Sequence, residues 1–378
     1  MKKVIAVVIL GLLFLPTACT RKPRRVVLGI ALSASYHPAV ELAVKEINAN
    51  GGIGGVPVEL MGLDWKVVNE FNATEILNRA SQFAAEKDLI AVIGHSDSVS
   101  TLSAASFYNQ QKIPQIVTIA TNPAITNIGV WTYRLCLSDA AQGPALAKYA
   151  VKDWNKQRIA VFYVNDDYGR GLAQLFEKEV HELGGEIVAS VMHRNILTND
   201  DKELIHAALK SFKQHQEPDL IVLFQRILVA EWMLKAIHDE HLKSSILGGD
   251  SLGPLDFAKS KQELMEGVRV SQFFLPRSDD AYAAAFMKSF HSLTGKDADY
   301  GHAFAYDAVY LLRDAALHGG SSREGVKSYL DRLIREKTQG VGVAGNYILG
   351  PDHDARRELY MVEAHDGAHT LLKTLKVD

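Results

Sequence analysis

Cysteine is almost absent from this chain of 378 residues, which carries two, Cys19 and Cys136. Cys136 lies in Tyr133-Arg134-Leu135-Cys136-Leu137, the setting of a small buried residue rather than a reactive thiol. No disulfide framework follows from such usage, so the fold must rest on its apolar core. Long hydrophobic runs are lacking too. Residues 4–15 fall short of the roughly 20 apolar residues of a membrane span, and no other segment approaches that length. An excess of positive charge is also missing: Lys and Arg number 41 against 44 Asp and Glu, a formal net charge of −3. That balance argues against nucleic acid as a partner and offers no basic tail to anionic lipid. Tandem repeats and low-complexity stretches are absent, which disfavours a solenoid.

Three signatures of chemistry start and stop short. Gly94-His95-Ser96-Asp97-Ser98 begins like a nucleophile elbow, but Ser98 stands where the closing glycine of the strained turn is needed. Gly51-Gly52-Ile53-Gly54-Gly55 follows a helical segment rather than a strand, so it reads as a helix exit and turn, not a dinucleotide loop. His238 and His241 lie about one helical turn apart without a third ligand nearby, the pattern of a solvated helix end rather than a metal site. The expectation is a protein that is not an enzyme, with no catalytic residue, metal or cofactor.

What is present is a pair of neighbouring apolar runs that each stop at a hydroxyl cluster. Residues 89–94 end in His95-Ser96-Asp97-Ser98-Val99-Ser100, and residues 113–117 end in Thr118-Ile119-Ala120-Thr121-Asn122-Pro123. A short apolar run bounded by turn residues reads as a strand buried on both faces. The helical spacing of residues 101–111 between them makes the two strands parallel neighbours. Ligands of open parallel sheets bind beyond the carboxyl ends of the strands, where hydroxyls and helix N-terminal amides suit an anion. Helix capping by Ser and Thr is the plainer alternative for either cluster taken alone. Strand and helix readings alternate along the rest, with strands at 26–31, 56–64, 159–164, 186–192, 220–224 and 246–247. Helices are read at 37–50, 73–86, 139–153, 171–183, 202–215, 230–239, 279–294, 303–317 and 323–334. The pattern predicts an α/β chain with doubly wound parallel sheets. Single cores stop growing near roughly 250–300 residues, so two lobes are expected.

These segments, taken in order, resemble the periplasmic solute-binding proteins of the branched-chain amino-acid (Leu/Ile/Val-binding) type. Glu41-Leu42-Ala43-Val44-Lys45-Glu46-Ile47-Asn48-Ala49-Asn50-Gly51-Gly52-Ile53 is similar to the family's first helix and glycine exit. Val92-Ile93-Gly94-His95 with Ser98, and Ala120-Thr121-Asn122-Pro123, resemble its ligand segment; Asp139-Ala140-Ala141-Gln142-Gly143-Pro144 resembles its hinge, and Asp167-Tyr168-Gly169-Arg170-Gly171 a signature loop. The start, Met1-Lys2-Lys3 with the apolar stretch and Cys19 after Thr17-Ala18, fits a signal peptide and resembles a lipobox, although Pro16 departs from the preferred Leu.

The resemblance implies the type I periplasmic-binding fold: two doubly wound lobes joined by a three-strand hinge, with the ligand cleft between them. Residues 1–18 would be the signal peptide and 19–25 a lipidated N-terminus and tether anchored through Cys19. Lobe 1 would be 26–138 plus 274–340, and lobe 2 would be 139–273 plus 341–378. The chain would be exported to the periplasmic or cell-surface face of the membrane. As a monomer it would capture an amino acid or small carboxylate and hand it to an ABC permease. The ligand-binding subunit of a sensory or chemotactic receptor is the alternative. Ser98 and Thr121 would hold the ligand carboxylate, with Ile119 and Ala120 beside them, Tyr168 would close from lobe 2, and Asp250 would pair the ammonium. Gln225 and Arg226 stand where the family often has glycine or tyrosine, and the loop at 31–36 is shorter than its counterpart. Arg226 at the cleft rim predicts a preference for polar or acidic ligands, unless it pairs elsewhere with an acid such as Glu231.

Overall fold

The computed structural model describes residues 25–63, 72–276 and 280–377. The expected signal peptide, Cys19 and the tether up to residue 24 lie outside the described residues. Arg25, read as the end of that tether, is instead fastened to the first lobe: its guanidinium reaches Glu59 at 2.8 Å, Glu86 at 2.9 Å and Asp88 at 3.2 Å.

The first lobe begins with β1 (Val26–Ala31), α1 (His37–Ala49), β2 (Val58–Met61), α2 (Ala73–Ala85), β3 (Leu89–Gly94), α3 (Ser98–Gln110), β4 (Gln115–Val117) and β5 (Thr132–Arg134). These strands pair in parallel in the order β2-β1-β3-β4-β5. Every residue of β3 and β4 is buried, as expected of parallel strands covered by helices on both faces. Gly94, at the end of β3, has φ +121°, and a Cβ there would sit 2.8 Å from the Ala31 carbonyl. Only glycine lets β3 turn off so close to β1, and that turn launches the segment 95–98.

The second lobe follows with α4 (Asp139–Lys148), β6 (Arg158–Val164), α5 (Asp167–Glu182), β7 (Glu186–His193), α6 (Asn199–Gln214), β8 (Leu220–Phe224), α7 (Ile227–Asp239), β9 (Ser245–Gly248), α8 (Leu255–Ser260), α9 (Gln262–Met265) and β10 (Arg269–Gln272). Then α10 (Ala281–Thr294), α11 (Tyr300–Gly319) and α12 (Arg323–Glu336) return to the first lobe, where α11 and α12 pack on α1 and β3. A three-stranded strip of β11 (Gln339–Gly340), β12 (Tyr347–Leu349) and β13 (Ala355–Arg356) leads into β14 (Leu359–His365) and β15 (Ala368–Leu375). The second sheet has the order β15-β14-β10-β9-β8-β6-β7, parallel from β10 to β7. Its far edge is an antiparallel hairpin, β14–β15.

Two readings change. The segment Asp167-Tyr168-Gly169-Arg170-Gly171 is the first turn of α5 rather than a loop, because the Asp166 carboxylate accepts from the amides of Tyr168 and Gly169 and starts the helix early. Residues 347–356, read with the second lobe, lie along β5: the Arg134 amide donates to the His353 carbonyl at 2.9 Å, and the His353 and Tyr133 rings stack at 4.5 Å. One apolar core runs through Leu28 of the first sheet, Leu146 of α4 and Phe224 of the second. Among the described residues, no helix is long and apolar enough to cross a membrane.

Candidate functional site

Both sheets point the carboxyl ends of their strands at one narrow space. The turn after β3 contributes Ser96, Asp97 and Ser98, and the turn after β4 contributes Ile119, Ala120 and Thr121. From the second sheet come Tyr168 after β6, Arg226 after β8, and Asp250 with Ser251 after β9. Tyr300, at the start of α11, completes the lining of a cavity of about 50 Å³. Ligands of doubly wound sheets bind at such strand ends.

On the first wall, Ser98 is the opening residue of α3 and is 1 % exposed. The helix starts three residues before the expected position 101 because Asp97 caps it, accepting from the Ser100 amide at 2.9 Å. The Ser98 oxygen accepts weakly from the Asn122 amide at 3.4 Å, and its own proton has no partner among the described residues. Thr121 is differently employed: its hydroxyl donates to Asp139 Oδ2 at 2.9 Å. The backbone that carries Thr121 is held from behind by Arg134. That guanidinium, wholly buried, pairs both oxygens of Asp354 at 2.8 Å and donates to the Asn122 carbonyl at 2.7 Å.

On the second wall, Asp250 is 2 % exposed and opens a short 3-10 turn without capping it, so its carboxylate faces the cavity. Oδ1 accepts from Gln142 Nε2 and from the Tyr168 hydroxyl, each at 3.0 Å, and Oδ2 accepts from the Tyr300 hydroxyl at 3.0 Å. A Cβ at Gly249 would lie 2.8 Å from the Tyr168 hydroxyl, so the missing side chain is what lets that tyrosine approach. The same Gln142 Nε2 donates to Asp139 Oδ1 at 2.9 Å, while its Oε1 accepts from the Asp250 amide at 3.2 Å and the Ser271 hydroxyl at 2.7 Å. Asp139, Gln142 and Asp250 thus form one buried chain ending at Thr121. Burial, then the nearby Asp250 charge, pushes the Asp139 carboxyl up to about 7. Burial likewise raises Asp250, against the pull of its hydrogen-bond donors. Among the described residues no cation is bonded to either of these buried carboxylates, an arrangement that suits a positively charged partner.

Seven of the eight expected contact residues, Ser98, Ile119, Ala120, Thr121, Tyr168, Arg226 and Asp250, line this cavity. Gln225 does not; it is fully buried, and its amide has no hydrogen-bond partner among the described residues. Arg226 reaches the cavity already engaged, with Nε at 3.2 Å and one Nη at 2.8 Å from Asp166 Oδ2. The expected meeting of Arg226 with a second ligand carboxylate is therefore not carried by the geometry, because Asp166 takes that role. Glu231, the acid named as an alternative partner, pairs with Lys261 at 2.6 Å. Asp139, Gln142 and Tyr300 were missed as site residues. His95 does not line the cavity: it is buried against the Tyr108 hydroxyl at 3.2 Å, and burial pushes it down to about 3. Among the described residues, no cluster of His, Cys, Asp and Glu is arranged to hold a metal ion.

The walls also touch each other. Asn122 Nδ2 donates to the Asp167 carbonyl at 2.5 Å, and the Tyr300–Asp250 bond joins α11 to the second sheet. Two hydrogen bonds thus bridge the walls of the cleft.

A family model described as periplasmic binding protein matches residues 29–368. The Leu/Ile/Val-binding protein homolog 1 of Brucella abortus is 27% identical over 290 residues, 76% of this chain and 75% of that protein. Among solved structures, a leucine-binding protein from Thermotoga maritima superposes with a TM-score of 0.81 at 23% identity, covering 93% of this chain and 98% of that one. An ABC transporter substrate-binding protein from Desulfitobacterium hafniense, in complex with Leu, does so at 0.77 and 25% identity, covering 92% and 100%.

Proposed function

This chain belongs to the periplasmic binding protein family, and from that premise we propose that it captures an amino acid for an ABC importer. The family is one of exported solute-binding proteins rather than enzymes, and its relatives include substrate-binding proteins of ABC transporters. The finer reading rests on one observation: the Ser98 hydroxyl and the Asp250 carboxylate face the same small cavity from different sheets. A hydroxyl with an unspent proton suits a ligand carboxylate, and a buried carboxylate suits an ammonium. An α-amino acid carries both groups.

Capture follows from differential affinity. The first lobe binds the carboxylate, the second adds Tyr168 and Asp250, and the ligand favours whichever hinge state makes all contacts at once. The closed form is what docks on the permease. Cys19, as a lipid-bearing N-terminus, would hold a monomer at the membrane surface, with residues 20–24 as the tether. The test is mass spectrometry of small molecules released by denaturing the protein purified from its own cells. An amino acid in stoichiometric amount supports the reading; a sugar or a metal complex in that amount refutes it.

A further inference from the structure

We propose that Gln142 sets the site's preference for an ammonium group by clamping Asp250 at two points. The inference rests on the amino-acid reading above and adds to it a positioning residue that stands outside the cavity lining.

Gln142 is fully buried in the first turn of α4, where the chain has just entered the second lobe. Its side-chain amide meets four groups. Oε1 accepts from the Asp250 amide at 3.2 Å and from the Ser271 hydroxyl at 2.7 Å. Nε2 donates to Asp250 Oδ1 at 3.0 Å and to Asp139 Oδ1 at 2.9 Å. One side chain thus holds Asp250 by its backbone and by its carboxylate. With both ends held, that carboxylate keeps the rotamer in which Oδ2 meets the Tyr300 hydroxyl at the cavity wall.

The four partners require an amide. Two carboxylates need a donor, while an N–H and an O–H need an acceptor, and glutamine supplies both from one flat group. An ionised glutamate of the same length could only accept, and it would set a third carboxylate against two. A methionine of similar shape offers no donor at all. The same bonds tie α4 to β10 and to the turn after β9, so Asp250 is positioned by the body of the second lobe. A group held in place before its ligand arrives has less ordering to lose on binding. Without the clamp, Asp250 can turn away from an ammonium, whereas the first-lobe turns that face the carboxylate are untouched.

The experiment uses the full chain, stripped of bound ligand and refolded. The twenty standard amino acids are screened by thermal shift. The one that raises Tm most is then titrated calorimetrically beside its deaminated acid. Wild type, Gln142→Met, Asp250→Asn and the double variant are compared. Gln142→Met is expected to bind the amino acid at least tenfold less tightly and the deaminated acid as wild type does. The double variant is expected to bind the amino acid no more weakly than Asp250→Asn alone, because both substitutions remove one contact. Losses that add in the double variant, or an equal loss for the two ligands, would mean that Gln142 only braces the fold and would overturn the proposal. A Gln142→Met protein that binds like wild type overturns it too. If Gln142→Met does not fold, Gln142→Glu, which keeps the length and the two accepted bonds, decides by the same comparison. A wild type that no amino acid stabilises overturns this proposal and the amino-acid reading together, whereas the other contrary outcomes leave that reading standing.

Discussion

Thr121 donates its hydroxyl proton to Asp139 across 2.9 Å, so that hydroxyl has none left for a ligand carboxylate. Its oxygen remains an acceptor, so under the proposed amino-acid reading Thr121 would serve the ammonium rather than hold the carboxylate as the sequence suggested. Under the same reading, the carboxylate would fall to Ser98 and to backbone amides of the two turns.

Substitution separates the two roles. Ser98→Ala is expected to weaken amino-acid binding by about 0.5–3 kcal/mol, the range from an ordinary to a charge-assisted hydrogen bond. Thr121→Ser keeps the bond to Asp139 and should bind like wild type, whereas Thr121→Val loses it and should weaken binding by a similar amount. Calorimetric titration of the three variants checks this; a Thr121→Val protein with unchanged affinity would show that the hydroxyl only ties the turn to the hinge.

The Asp139–Gln142–Asp250 chain makes the site sensitive to pH. With Asp139 pushed up to about 7, the folded, ligand-free protein holds a proton there that the unfolded chain gives up near its ordinary 3.8. The folded state binds more protons between those values, so ligand-free stability falls as pH rises from about 4 to about 7. An arriving ammonium favours the ionised carboxylate, so binding releases protons and tightens over the same interval. Calorimetry near pH 6 in two buffers of different ionisation enthalpy reads that release directly. Equal heats in both buffers would contradict it.

Arg134 links Asp354, just before β13, to the turn that carries Asn122. Asp354→Ala leaves its guanidinium buried and unpaired, which costs about 3–5 kcal/mol of stability. Denaturant unfolding should show the loss, and ligand affinity should fall with it, because the guanidinium also holds the Asn122 carbonyl. A loss under about 1 kcal/mol would mean that water or another acid replaces Asp354.

The anchor has its own test. Cys19→Ser is expected to move the protein from the membrane fraction to the soluble fraction, or to stall its processing. An unmodified mature N-terminus in mass spectrometry of the wild type would remove the anchor from the account.

Much of this architecture was legible because buried parallel strands are continuous apolar runs. Residues 89–94 and 220–224 have no polar residue to hide them. β5 escaped because it is three residues long and ends in an arginine that Asp354, 220 positions away, and the Asn122 carbonyl make tolerable in a core. β15 escaped because Ala368–Leu375 is an exposed edge strand with little apolar alternation. At the site, Ser98 and Asp250 were visible at strand ends, whereas Tyr300 was not. It looked like a residue before a helix, since the helix signal at 303 hid the Asp299 cap that starts α11 at Tyr300. Asp139 and Gln142 read as hinge helix, and their part in the site depends on contacts across 108 positions that no local pattern records.

Under the proposed function, one cleft grips a carboxylate on one wall and an ammonium at Asp250. Titration calorimetry on ligand-free protein, comparing the best-bound amino acid with its deaminated carboxylic acid and its decarboxylated amine, tests it most directly. The account predicts that only the intact amino acid binds tightly, and that Asp250→Asn lowers its affinity at least tenfold while leaving the carboxylic acid unaffected. Tight binding of the deaminated acid to wild type, with Asp250→Asn indifferent, would contradict it.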